Sequence, residues 1–368
     1  VTSERVAIVG RIACYSTTMR IAVGTMTGTS MDGVDAVAVS IEGQGLELTA
    51  SFLEIASIPF DGIRDDLRKL SKYEEMHSGE LALSIGERTR DAIKALNINN
   101  IDLIALHGQT IYHQPPKTIQ LINPNPVIEA FDCTVLNQPR LMDVELGGEG
   151  APITPLADWI MFREKKRNVA IVNLGGFCNI TMLPAQGYYG EIRSIQGFDV
   201  CCCNLLLDAI ARERIGKPFD KDGELASKGD MDEDVYGELL TLLSAQHHDK
   251  QSLGHLDDIG QQLSTWNGVP SETFAATACA AIGACISNSI GDADCVYLAG
   301  GGCHNKSLAS HIRHNGTVAD LGVPVQAREG MAMAILGAMH QDGVSITLPQ
   351  VTGRSESTNP VRFAQESP

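Results

Sequence analysis

Residues 21–41 read IAVGTMTGTSMDGVDAVAVSI, and the stretch Gly28, Thr29, Ser30, Met31, Asp32, Gly33, Val34 and Asp35 gathers glycines, hydroxyls and two carboxylates between apolar runs. Glycines let backbone N–H groups converge on an anion and hydroxyls add donors, so Gly28, Thr29 and Ser30 suit phosphate oxygens. Asp32 and Asp35 oppose a phosphate unless a divalent cation lies between them, and Mg²⁺ held from Asp32 through water resolves that conflict. The Asp32-Gly33 pair reads equally well as a plain hairpin turn. In SIQGFDVCCCNLLLDAI at 194–210, Asp199 stands just ahead of a helical pattern. A carboxylate there serves either as a general base on water or a hydroxyl, or as a helix N-cap. In LAGGGCHN at 298–305, Gly300, Gly301, Gly302 and Asn305 close a strand and open a helix, leaving bare backbone for a flat ligand such as adenine or ribose. His107 and Gln109 sit at a strand end within reach of a sugar, although His107 is as readily a core histidine. Arg140 and Glu329 are candidates for recognising a hydroxyl or a carboxylate.

These residues need elements to hold them. Met19 to Met26 and Ala36 to Ile41 carry the alternation of strands, so the first glycine turn joins a hairpin; no helix follows it, and no Gly-Lys-Ser/Thr ending, which excludes a P-loop. The same plan of strand, polar glycine turn and strand returns in VAIVNLGGFCNITML at 169–183. Each half then repeats an aspartate-led strand, at 101–110 and 293–305, after helical spacing at 79–96 and 273–290. The pattern predicts mixed α/β layers in two related halves joined near GGEGAPITPLADW at 147–159. One large sheet with tight glycine turns is the competing arrangement. Within it, KPFDKDGELASKG at 217–229 reads as an exposed loop.

With 368 residues the chain can bury two cores, and its net charge of −17 opposes nucleic acid and anionic membranes. A small-molecule partner is expected. No apolar run of about 18 residues is uninterrupted enough to predict a membrane span. Several cysteines (Cys279, Cys285, Cys295) lie in apolar runs where free thiols pack as small hydrophobes, pointing to a reducing cytoplasm. Cys201-Cys202-Cys203 lack the spacer that lets two thiolates grip one metal.

In order along the chain, Gly28-Thr29-Ser30-x-Asp32-Gly33-x-Asp35, His107-Gly108-Gln109-Thr110, Gly147-Gly148-x-Gly150-Ala151-Pro152, Asn173-x-Gly175-Gly176-Phe177-x-Asn179, Phe219-Asp220-x-Asp222-Gly223, Gly300-Gly301-Gly302-x-x-Asn305, Glu329-Gly330-Met331-Ala332 and Leu348-Pro349-x-Val351-Thr352-Gly353 are similar to motifs of one family. Over about residues 20–353 the sequence resembles the anhydro-N-acetylmuramic acid kinases of the actin, heat-shock chaperone and sugar-kinase superfamily. The resemblance implies an α/β fold of two duplicated actin-like (ribonuclease H-like) ATPase domains around a central nucleotide and sugar cleft. They would span 19–150 and 151–353, flanked by a disordered extension at 1–18 and a loose tail at 354–368.

It further implies that ATP and Mg²⁺ convert 1,6-anhydro-N-acetylmuramic acid into N-acetylmuramic acid 6-phosphate in a cytoplasmic homodimer. Asp199 is then catalytic. The turn from Gly28 to Asp35 holds the β- and γ-phosphates, and Gly300 to Gly302 lie against adenosine, with Gly175, Gly176, Asn204 and Asn305 completing the ATP contacts. His107, Gln109, Thr110, Arg140 and Glu329 face the sugar. Three departures mark this chain: Val200-Cys201-Cys202-Cys203-Asn204 replaces Cys-Gly-Pro-Gly-Asn, Gln138-Pro139-Arg140 replaces Asp-Phe-Arg, and KQSLGHLDD at 250–258 matches only approximately. They leave open a kinase for another anhydro-sugar such as levoglucosan, or a non-catalytic nucleotide or sugar binder. Retention of Asp199, Asp32 and Glu329 favours an active enzyme.

Overall fold

The structure is a computed structural model that describes residues 19–28, 31–70, 78–185, 189–246, 260–356 and 360–365. The expected extension at 1–18, Thr29 and Ser30 of the first turn, and the divergent 250–258 segment lie outside the described residues.

Apolar runs at β spacing form the strands β1 (Arg20–Thr27), β2 (Gly33–Glu42), β3 (Thr49–Pro59), β4 (Leu103–Ala105), β5 (Gln109–Gln114), β6 (Lys117–Leu121), β7 (Thr134–Asn137), β8 (Val169–Leu174), β9 (Phe177–Leu183), β10 (Gln196–Cys202), β11 (Cys295–Ala299), β12 (Gly316–Thr317) and β13 (Ala364–Gln365). They make two main sheets rather than one, ordered β13-β7-β4-β1-β2-β3 and β10-β9-β8-β11-β12, with β5 and β6 as a separate ribbon. In both sheets a central strand pairs antiparallel with the next strand of the chain, which pairs antiparallel with the one after it. On its other side it pairs parallel with a later strand, and that one with another. Strands covered on both faces need no polar alternation, and accordingly every residue of β4, β8 and β11 is buried.

Both expected helical stretches form, as Ser78–Ala95 and Ser271–Ile290. The first covers the outer side of the first sheet through Leu81, Ile85 and Ile93. The second is long and apolar enough to cross a bilayer by length and composition alone, which its interspersed serines, threonines and glycine mask in the sequence. It is a core helix instead: Phe274, Ile282 and Ile286 are fully buried on the outer side of the second sheet, packed with the helices Asn204–Ile215 and Glu233–Gln246.

Between the sheets lie the helices Pro155–Phe162 and Arg328–Gln341. Arg328–Gln341 is buried continuously from Gly330 to His340, as a helix without a polar face must be. It packs on β1, β2 and β4, so a segment assigned by position to the second half completes the core of the first sheet. Gly24 and Gly330 permit that contact: a Cβ on Gly24 would come within 2.0 Å of the Gly330 carbonyl oxygen.

One expectation is corrected. The described part of the tail is packed, because Val361 and Phe363 are apolar at alternate positions and insert beside β13, which pairs with β7. The 217–229 stretch is largely exposed, as its composition predicts, and is anchored where Asp220 accepts hydrogen bonds from the backbone of Leu225 (2.8 Å) and Ala226 (3.1 Å), whose side chains are buried.

Candidate active site

The two glycine hairpins and the β11 corner converge with Asp199, Arg140 and Glu329. In the first hairpin β1 ends at Thr27 and β2 begins at Gly33, so the connection is longer than a two-residue Asp-Gly turn. It closes through Met31 N–H to the Gly28 carbonyl (3.1 Å), with Met31 at φ +54°, a left-handed conformation costly for a side chain other than glycine and common where backbone is held for function. Asp32 is exposed and forms an ion pair with Arg64, while its carbonyl accepts from Phe60 N–H at 2.8 Å. Asp35 is drawn in deeper; burial raises its pKa and the Ser57 hydroxyl, which donates to it, partly offsets that.

Gln109 donates to the Gly28 carbonyl at 3.2 Å and to the Thr110 carbonyl at 3.3 Å. Its amide therefore fastens the first turn from β5, a support that the sequence pattern did not separate from sugar contact.

The second hairpin organises the start of the Asn204–Ile215 helix. Cys203 N–H bonds the Gly176 carbonyl (2.9 Å), Asn204 N–H bonds that of Gly175 (3.0 Å), and the Asn204 side-chain amide donates to Leu174 (2.8 Å). Asp199 is not the cap of this helix, which begins after Cys203. It lies on β10 opposite Asn179, and a register shift follows between Asp199 and Cys201. At the β11 corner, Gly300 has φ +76° and its Cα faces the Asn173 side chain, whereas a Cβ on Gly301 would meet nothing within 4 Å. Asn305 caps the next short helix by accepting from Leu308 N–H at 3.0 Å.

Arg140 is the electrostatic centre. Its Nε donates to His107 Nε2 (3.2 Å) and its Nη1 to the Gly150 carbonyl (3.0 Å). Burial lowers the guanidinium to about 10, and the charges of Asp199, Glu329 and Asp143 work against that fall. Because a guanidinium can only donate, His107 Nε2 is an acceptor and the ring proton belongs on Nδ1. Burial first, then Arg140, lowers the His107 pKa to about 3, so the ring is neutral.

Glu329 lies in the first turn of Arg328–Gln341 and accepts from the Asn173 amide at 3.4 Å. Burial raises its pKa; Arg328 and that hydrogen bond oppose the rise, while Asp158 and Asp35 add to it. Asp208, absent from the sequence-derived set, is pushed up to about 6 by burial, lowered by Arg212 and raised by Asp32. Its place one helical turn after Asn204 is the only signal that could have found it.

The site carries polar atoms with no protein partner: Thr27 Oγ1, Gln109 Oε1 and Asn173 Oδ1 are buried and unsatisfied. Buried polar atoms left unpaired are costly, so their collection at three strand ends beside open glycine backbone fits a polar ligand. For a divalent cation the fit is through water alone. Among the described residues no three His, Cys, Asp or Glu side chains gather as a direct ligand set, and Asp32 is the exposed carboxylate beside the first turn. A cavity of about 580 Å³ opens elsewhere, behind β10. It is lined by Phe198 and Val200, whose side chains point away from that of Asp199 by strand alternation.

Glycine corners with open backbone, set against carboxylates and the half-buried Arg140, are the kind of arrangement that phosphoryl transfer needs. A family model described as anhydro-N-acetylmuramic acid kinase matches residues 20–359, and the chain belongs to that family. An anhydro-N-acetylmuramic acid kinase of Shewanella halifaxensis (strain HAW-EB4) is 32% identical over 359 residues, covering 90% of this chain and 95% of its own. One of Caldanaerobacter subterraneus subsp. tengcongensis is 30% identical over 386 residues, covering 92% and 95%. Among solved structures, component A of the Acidaminococcus fermentans (R)-2-hydroxyglutaryl-CoA dehydratase overlaps 87% of this chain and 98% of its own at 11% identity and a TM-score of 0.45, too remote to bear on the site.

Proposed function

We propose that the chain converts 1,6-anhydro-N-acetylmuramic acid and ATP into N-acetylmuramic acid 6-phosphate and ADP, opening the anhydro ring with water. Membership of the kinase family supports the reaction, and the observation that carries the site is the meeting of Asp199, Glu329 and His107 around Arg140.

Asp199 takes a proton from water as the water oxygen attacks the anomeric carbon; the C1–O6 bond breaks, and O6 accepts the γ-phosphoryl group as the bond to ADP breaks. The phosphoryl group thus fills the place of the proton that a glycosidase acid would give the leaving oxygen. Arg140 lies close enough to feel the charges of Asp199 and Glu329, and neutral His107 holds its guanidinium by accepting from Nε. The turn from Gly28 to Asp35 takes the β- and γ-phosphates, with Gly175, Gly176 and Asn204 opposite, and Gly300 to Gly302 and Asn305 take the adenosine. His107, Gln109, Thr110, Arg140 and Glu329 form the sugar side. Asp32, through water, would hold Mg²⁺, which supplies charge neutralisation to the phosphates.

The shared strand order supports reading the two sheets as the cores of duplicated actin-like domains that close over the ligands and exclude bulk water. The acidic net charge and free described cysteines are consistent with a cytoplasmic enzyme, and the family resemblance with a homodimer.

The test is mass-spectrometric detection of N-acetylmuramic acid 6-phosphate formed from the anhydro-sugar with ATP and Mg²⁺. Asp199→Asn is expected to lower the rate by roughly 10²–10⁴-fold while nucleotide binding persists. Product formed at an unchanged rate by Asp199→Asn would remove Asp199 from the proposed role.

A further inference from the structure

Cys285, on the Ser271–Ile290 helix, lines the cavity of about 580 Å³ behind β10 together with Phe198, Val200, Ser244 and Asn288. Its sulfur lies 3.6 Å from the Ser244 hydroxyl and also hydrogen-bonds the thiol of Cys201 on β10. Two thiols in contact, one at the wall of a cavity and one behind it, differ from the other described cysteines. Cys178 and Cys203 are fully buried without lining that cavity, and Cys133 and Cys303 each lie alone near the surface.

The electrostatics point the same way. With Cys201 and Ser244 as hydrogen-bond donors, the Cys285 thiol is pulled down to about 7, and the same contact pushes Cys201 well up. Burial holds Cys279 up at about 12 and raises Cys133 to about 11. The thiolate is the reacting form, and Cys285 faces the cavity while Cys201 is fully buried behind it, so a small oxidant meets Cys285 first.

We propose that Cys285 and Cys201 form an oxidation site for small hydroperoxides, Cys285 attacking and Cys201 resolving, whose disulfide ties β10 to the Ser271–Ile290 helix. Cys285 Sγ attacks one peroxide oxygen, the O–O bond breaks, and the departing hydroxide leaves as water with the proton given up by the thiol. The resulting sulfenic acid is attacked by Cys201 Sγ; the S–S bond forms, the S–OH bond breaks, and its hydroxide leaves as a second water with the Cys201 proton. With hydrogen peroxide, two thiols are oxidised and one peroxide is reduced to two waters.

The bond would form next to the chemistry. Cys201 lies two residues beyond Asp199, across the register shift, and the following residue is already held by Cys202 N–H to Gln246 Oε1 at 2.8 Å. A covalent tie between these points restrains the strand that carries Asp199.

The full-length protein, reduced and then treated with equimolar hydrogen peroxide, is alkylated, digested and analysed by mass spectrometry. A Cys201–Cys285 linked peptide that dithiothreitol separates is expected, with a dimedone adduct at Cys285 in Cys201→Ser. Phosphorylated-sugar formation should fall several-fold on oxidation and recover on reduction, while Cys285→Ser keeps the untreated rate and resists peroxide. First oxidation at Cys133 or Cys303, or thiol loss in Cys285→Ser as fast as in the parent, would overturn the site. A disulfide that leaves the rate unchanged would overturn its coupling to β10. Because the peptide readout needs no sugar or nucleotide, it is independent of the substrate assigned to the cleft.

Discussion

His107 is 2% exposed and its ring accepts from Arg140, so folding excludes the proton that an unfolded histidine takes up near pH 6.5. With the folded pKa lowered to about 3, its contribution is fully present above about pH 6.5 and is lost as pH falls toward 3, because only the unfolded state binds the proton. Between pH 7.5 and 5 the loss is about 2 kcal/mol. Asp35, Glu329 and Asp208 act with the opposite sign: raised carboxylates favour the folded state at low pH and lose that advantage as pH rises. His107→Gln should narrow its stability gap to the parent at pH 5 relative to pH 7.5 by about 2 kcal/mol, measured by urea unfolding. Parallel pH profiles for the two proteins would show that the ring is not held neutral. The burial of this ring was not legible in the sequence, because the partner that holds it, Arg140, lies 33 positions away and reaches it only through the fold. Asp199 was more legible, since its spacing from a helix start narrowed it to base or cap, and the helix beginning after Cys203 removes the cap.

Elements were legible where periodicity was strong. Both glycine hairpins, the Ser78–Ala95 helix and the Ser271–Ile290 helix follow from apolar spacing; the hairpins carry the turn from Gly28 to Asp35 together with Gly175 and Gly176, and the two helices back the sheets that hold them. The C-terminal strand was not legible, because Val361 and Phe363 stand in a polar, proline-containing stretch and acquire their places only against β7. The β11 corner offers a test at this scale, since its adjacent glycines have different reasons to be there. A Cβ on Gly300 would come within 2.7 Å of Asn173 Oδ1 and 2.8 Å of the Leu174 carbonyl at a φ of +76°. Gly300→Ala is thus expected to destabilise the free protein by about 1–3 kcal/mol through strain. A Cβ on Gly301 has open space, so Gly301→Ala should fold with the parent's thermal midpoint yet raise the KM for ATP several-fold if adenosine lies against that backbone. An unchanged KM in a fully folded Gly301→Ala protein would move the nucleotide base elsewhere.

Two sheets that share a five-strand order, the first extended by β13, are held together by the helices Pro155–Phe162 and Arg328–Gln341, and one buried ion pair joins those helices. Arg328 and Asp158 are 1% and 0% exposed; Arg328 Nε donates to Asp158 Oδ1 at 2.9 Å, and its Nη2 donates to Asp158 Oδ2 and, at 3.3 Å, to the Thr154 hydroxyl. Thr181 of β9 donates to the same carboxylate at 2.9 Å, so the pair links both helices to the second sheet. Desolvating both charges offsets much of their attraction, which makes the pair weak as a source of net stability but costly to break from one side. Arg328→Met is accordingly expected to lose about 3–5 kcal/mol, and Arg328→Met with Asp158→Leu to regain much of that loss. Because Glu329 follows Arg328 in the helix and its pKa is lowered by that cation, both variants should weaken catalysis even where the double variant restores the thermal midpoint. Denaturant unfolding read beside kcat and KM separates the two effects. A double variant with parent-like stability and parent-like kcat would mean that the pair only fills space between the sheets, and that Glu329 is positioned by Asn173 without it.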